Sequence, residues 1–141
     1  HSPRQDEHRW EDDVERNVLG EPLQECGTDP VTGYYRTGSC VPAAGQIGGH
    51  SICVVVTEAF LDHQRELGND LSRPSPEFRF PGLQPGMRWC VLAARWFQSY
   101  QAGVAAPVVL AATHERALEV VDRAMLAEHA VDVPDDPGAL V

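Results

Sequence analysis

The residue types and spacing best suited to chemistry are four cysteines, Cys26, Cys40, Cys53 and Cys90, with a histidine, His50, set among them. Thiolate and imidazole are zinc ligands, and the spacing His50-x-x-Cys53 is one that a turn can wrap around a single ion. Cys26, Cys40, His50 and Cys53 therefore form a candidate zinc site. Against it, the chain has no Cys-x-x-Cys pair. Cys53 lies in an apolar run and Cys90 stands between Trp89 and Val91, the setting of a small buried hydrophobe. A thiol-active protein is a related reading, because an imidazole beside a cysteine lowers its pKa and makes it a nucleophile. Cys26 or Cys40 with His50 or His114 would be the pair.

A second constellation suits a small anionic molecule. Thr57 and Thr113 each follow an apolar run and open a polar-apolar pattern of helical period, and helix N-termini at the ends of strands offer free N–H groups to anions. Arg36, Arg88 and Arg95 could add forked contacts, with Tyr34 and Trp89 as walls, giving a ligand pocket near His50, Arg88 and His114. The plainer account is that the threonines cap helices and the arginines pair with some of the 21 acidic residues. His63 and His129 read as solvated positions. A third reading is an interaction or homodimerisation module using Trp89, Trp96 and the proline-rich stretch 68–87.

Composition narrows the classes further. The chain has 141 residues, enough for one domain, with 43% hydrophobic and 23% charged residues, as expected of a globular protein. No apolar run approaches the roughly 18 residues of a membrane span. A net charge of -10 opposes a phosphate backbone, so nucleic acid is not an expected partner. All 11 basic residues are arginine. The absence of lysine excludes a Walker-type phosphate loop, a Schiff-base lysine and pyridoxal phosphate attachment. With no secretory pattern in the first residues, the expectation is a cytoplasmic protein with reduced thiols.

The elements that must position these residues begin after a charged tail over residues 1–13, and a tail over 133–141 follows a single domain over 14–132. Residues 17–49 are rich in glycine and proline, leaving room for short strands such as Tyr34 to Thr37. Ser51 to Thr57 is a β-branched run with the length of a buried strand. Thr57 then caps a helix that Gly68 ends. Residues 89–93 read as a strand followed by a helix. Residues 107–113 read as another strand, with Thr113 capping a last helix whose inner stripe is Ala117, Leu118, Val121 and Met125, and whose Glu119 and Arg123 pair outside. The fold class is α+β, a small partly parallel sheet packed against two or three helices with a loop-rich first third; a doubly wound α/β fold is the runner-up.

Six ordered segments carry a family likeness: Asn17-Val-Leu-Gly-Glu-Pro-Leu23, Thr28-Asp-Pro-Val-Thr-Gly-Tyr-Tyr-Arg36, Gly68-Asn-Asp-Leu71, Phe80-Pro-Gly-Leu83, Arg88-Trp-Cys90, and Pro107-Val-Val-Leu110 with Thr113-His-Glu115. Together they resemble bacterial proteins of the DUF2237 family over residues 17–130. The resemblance implies no activity, ligand or partner. Members of that family carry a second cysteine beside the one matching Cys40 and another two past the one matching Cys90. Here those positions are Ser39 and Leu92, which argues against a family-wide multi-cysteine metal cluster.

Overall fold

The computed structural model describes residues 15–27, 32–35, 37–74 and 82–132. The expected tails lie outside the described residues. Strand β1 covers Ile52–Val55, helix α1 Glu58–Glu66, strand β2 Arg88–Val91, helix α2 Ala93–Gln101 and helix α3 Arg123–Glu128. Short 3-10 turns at Leu110–Ala112 and Glu115–Glu119 precede α3.

β1 and β2 pair antiparallel, with Ile52 opposite Val91 and Cys53 opposite Cys90. This corrects the expectation of a partly parallel sheet and of its doubly wound alternative. The long connection after α1 returns the chain against β1, and the one parallel contact among the described residues is an isolated bridge between Val108 and Ala130. Beyond β1, Pro107 to Val109 add an antiparallel contact: Val55 N donates to Pro107 O and Val109 N to Cys53 O, at 2.8 and 2.9 Å. The expected strand over 107–113 is therefore reduced to an isolated bridge at Val108, followed by the 3-10 turn at Leu110–Ala112. Gly33, Tyr34 and Tyr35 lie in a bend and turn instead of the expected short strand.

The period of two along each strand divides the molecule. Ile52, Val54, Val56, Trp89 and Val91 face a core filled by Phe60, Leu61, Trp96, Leu110 and Leu126 from the helices and turns. Cys53, Cys90 and Val109 belong to a separate buried cluster with Cys26, Cys40 and Ala112.

Local chemistry fixes the helices as expected at α1. Thr57 Oγ1 accepts from Phe60 N at 3.2 Å, and Gly68 at φ 87° ends the helix. Gly68 N donates to Arg65 O and Asn69 N to Gln64 O, the paired bonds of a glycine-terminated helix end. α1 packs on α2 through a buried polar link, in which Gln64 Nε2 donates to Ser99 Oγ at 2.7 Å and to Arg95 O at 3.1 Å. His63 joins it through Nδ1 and Ser99 Oγ at 2.8 Å, so it is not a purely solvated position. His129 likewise packs edge-on against Trp96 and Tyr100.

The last expected helix is broken in two. Residues 115–119 form a 3-10 turn and α3 starts only after Asp122. Adjacent Val120 and Val121, both β-branched, disfavour a continuous helix. Glu119 is also turned away from Arg123, accepting from Gly48 N at 2.8 Å and from Arg116 Nε at 3.4 Å. Ala117 and Val121 still face the core, whereas Leu118 is exposed.

Candidate thiol and disulfide site

Cys53 and Cys90 stand directly opposite each other in the register of β1 and β2. The backbone groups of Cys53 point away from β2, with its oxygen accepting from Val109 N, so the two cysteines form a cross-strand pair without mutual hydrogen bonds. Each amide is satisfied by a threonine hydroxyl. Cys53 N donates to Thr113 Oγ1 at 3.2 Å and Cys90 N to Thr32 Oγ1 at 2.7 Å. Thr113 Oγ1 in turn donates to Val109 O at 2.8 Å.

Neither strand cysteine bonds its neighbour. Cys53 forms a disulfide with Cys26, and Cys90 with Cys40, bridging 27 and 50 residues of sequence. The expectation of reduced thiols is corrected: no described cysteine is free. All four are at most 1% exposed. The loop between Cys26 and Cys40 is held by Cys26 N and Gly27 N, which both donate to Gly38 O, and by Gly38 N, which donates to Thr32 O. Gly33, at φ 99°, is required there, since a Cβ would run into the carbonyl oxygen of Ser39.

The two disulfides adjoin. Sγ atoms of Cys26, Cys40 and Cys90 lie within 4.8 Å of one another, although Cys26 belongs to a different bridge from the other two. A cavity of about 180 Å³ lies alongside, lined by Gly33, Tyr34, His50, Trp89 and Cys90. Tyr34 is half exposed at its rim and stacks obliquely on His50, with ring centroids 5.9 Å apart.

The segment carrying His50 is clamped from the 3-10 turn. Arg116 donates to the carbonyl oxygens of Ala43 and Gln46, and Glu119 receives Gly48 N. That hydrogen bond from Gly48, with the Arg116 guanidinium alongside, holds the Glu119 carboxyl below its ordinary pKa. Gly48 must be glycine: it adopts φ 71°, and a Cβ would come within 2.6 Å of Val120 Cγ2.

The expected residues scatter over several roles. Cys26, Cys40 and Cys53 do converge, but the sulfur beside them is Cys90 rather than the His50 of the candidate zinc set, and His50 lines the cavity that Cys90 borders. Thr57 caps α1. Thr113 does not cap the last helix as expected: its side chain serves Cys53, and the residue capping the following turn is His114. His114 is buried, with Nδ1 accepting from Arg116 N at 3.1 Å and Nε2 2.6 Å from Glu15 Oε2. The backbone donor at Nδ1 places the ring proton on Nε2. Arg88 is exposed on β2 at the same parity as Cys90, and Arg95 lies on α2 with its guanidinium 3.4 Å from Gln98 Oε1. Arg36 is outside the described residues. Among the described residues, neither Arg88 nor His114 lines the cavity that holds His50.

Sequence reasoning missed Cys90 as a member of the cluster and Thr32 as its support. The available signal was parity: two buried strand cysteines, each flanked by large apolar residues, present themselves on one face if the strands pair at that position.

Among the described residues no helix is long and apolar enough to cross a membrane. No curated protein matches the chain. Residues 16–130, more than half of the sequence, match the family described as "Uncharacterized protein conserved in bacteria (DUF2237)", and the chain belongs to that family.

Proposed function

We propose that the four-cysteine cluster is a thiol–disulfide exchange centre acting on a small thiol. One observation carries this reading: sulfurs of two different disulfides sit within 4.8 Å of one another, beside a cavity that reaches Cys90 from the surface tyrosine Tyr34. Exchange needs a thiolate to approach a disulfide sulfur, and the imidazole of His50 in that cavity is placed to take the proton of an incoming thiol. The thiolate attacks Cys90 Sγ, a new S–S bond forms to Cys90, the Cys40–Cys90 bond breaks, and Cys40 leaves as a thiolate. A second thiol, as its thiolate, attacks the substrate sulfur of this mixed disulfide, the bond to Cys90 breaks, and Cys90 leaves as a thiolate. The products are an oxidised substrate disulfide and the reduced Cys40 and Cys90; a low-molecular-weight disulfide reverses the sequence.

Incubation of the folded protein in thiol buffers of stepped potential, followed by alkylation and mass analysis, tests the reading. Expected is reversible reduction of Cys40–Cys90 while circular dichroism stays native, with His50→Ala slowing the exchange. Disulfides that open only as the fold melts would mark them as purely structural and defeat the proposal.

A further inference from the structure

We infer that the reduced form of the same cluster is a zinc site made of Cys26, Cys40, Cys53 and Cys90, so that metal occupancy follows the redox state. The inference rests on the proposed exchange reading for its route to the reduced state. Zinc prefers four tetrahedral ligands with Zn–S bonds near 2.3 Å, which places ligand sulfurs about 3.8 Å apart. Three of the sulfurs already lie within 4.8 Å of one another, and the fourth, Cys53, is in bonding contact with Cys26. Breaking the two S–S bonds lets the bonded sulfurs separate toward that spacing, and the Cys53 side chain, whose sulfur lies outside the close group of three, turns toward Cys40 and Cys90 from a backbone held in the sheet.

The surroundings also suit a metal thiolate. All four cysteines are buried, and Val55, Val109 and Ala112 pack around them, a shell that keeps competing water away. The backbone carrying Cys53 and Cys90 is fixed by the sheet register and by the hydroxyls of Thr113 and Thr32. The two loop cysteines are brought in by the turn that Gly38 closes. On binding, one zinc ion displaces the protons of the four thiols, which pass to solvent. On oxidation by two equivalents of a low-molecular-weight disulfide, four thiolates become two protein disulfides, four small thiolates are released, and the ion leaves.

The test uses the whole chain with zinc alone as the probe, by native mass spectrometry, and cobalt as a spectroscopic substitute. After native reduction and removal of the reductant without oxygen, one zinc per chain is expected, with cobalt giving thiolate charge-transfer absorption and tetrahedral d–d bands. Cys90→Ser should weaken zinc binding by more than about 100-fold, beyond the usual cost of losing a supporting hydrogen bond. His50→Ala should leave it unchanged, since His50 is not a ligand in this set. The oxidant should expel the ion and restore both disulfides. Reduction in the folded state without zinc uptake would overturn the zinc inference and leave the exchange reading standing. If native reduction fails, the exchange reading falls, and the chain is reduced in denaturant and refolded anaerobically with zinc: one cysteine-bound zinc then keeps the metal site, and none overturns it. A variant that fails to fold is replaced by Cys53→Ser under the same measurements.

Discussion

The two faces of the β1–β2 sheet solve the same problem by different means. On one, Ile52, Val54, Trp89 and Val91 bury apolar area against Phe60, Trp96 and Leu126. On the other, few hydrophobic side chains cover the strands, and two disulfides draw in the loops instead. The helical face is held by many small, non-directional contacts and is insensitive to redox conditions. The cysteine face is held by covalent closure, which narrows the unfolded ensemble and vanishes on reduction. Chemistry is therefore expected where stability can be switched, and plain packing where it cannot.

The largest expected effect comes from removing both bridges. Loops of 27 and 50 residues correspond to about 3.5 and 4 kcal/mol of closure entropy if each bridge acts alone. Denaturant unfolding of the Cys26→Ala, Cys40→Ala, Cys53→Ala, Cys90→Ala protein should show most of that loss, and a variant as stable as the oxidised parent would erase the contrast between the faces. Trp96→Ala comes next. Its side chain is fully buried, with Nε1 donating to Ala106 O, so a loss of about 3–5 kcal/mol is expected. Because that loss sits on the helical face, it should be the same with and without reductant; a strong dependence on reductant would show the faces to be coupled.

Thr113→Val sharpens the boundary between them. It deprives the Cys53 amide of its acceptor and should cost about 1–3 kcal/mol in thermal or denaturant unfolding. A cost of zero would mean that the threonine does not support the cysteine strand. The smallest expected effect belongs to Glu119→Gln. The folded-state pKa of Glu119 lies below its ordinary value of 4.5, so its contribution is complete above that value and is lost as pH falls through the lowered pKa. The melting temperature of the variant should lie slightly below the parent's at neutral pH, and the two should converge in acid. Divergence toward low pH would reverse the assigned sign.

What the sequence made legible was local. The β-branched run at 51–57, the cap at Thr57 and the stop at Gly68 depend on neighbours a few residues away, and all appear in place. The strand and helix around 89–101 were readable for the same reason. Strand direction was not, because it depends on the path of the connection between α1 and β2 rather than on any residue in either strand. The break at Val120 and Val121 depends on what Gly48 and Glu119 do across 71 residues. At the site, burial of Cys53 and Cys90 was readable from their apolar neighbours. Their bonding partners lie in distant loops, so the choice of His50 in place of Cys90 followed sequence proximity where the fold obeys register.

That register has a consequence for how the chain reaches its final state. Cysteines facing each other at a site without mutual hydrogen bonds have Cα atoms about 4.5 Å apart, within the range a disulfide spans. Four cysteines allow three pairings, and pairing β1 with β2 before the loops dock places the competing Cys53–Cys90 pairing within reach. A chain oxidised at that moment would be locked with its sheet formed and Cys26 and Cys40 shut out. Refolding yield under oxidising conditions is then a race between loop docking and premature cross-linking, one that a disulfide isomerase or a mild thiol buffer would tilt toward the native pairing.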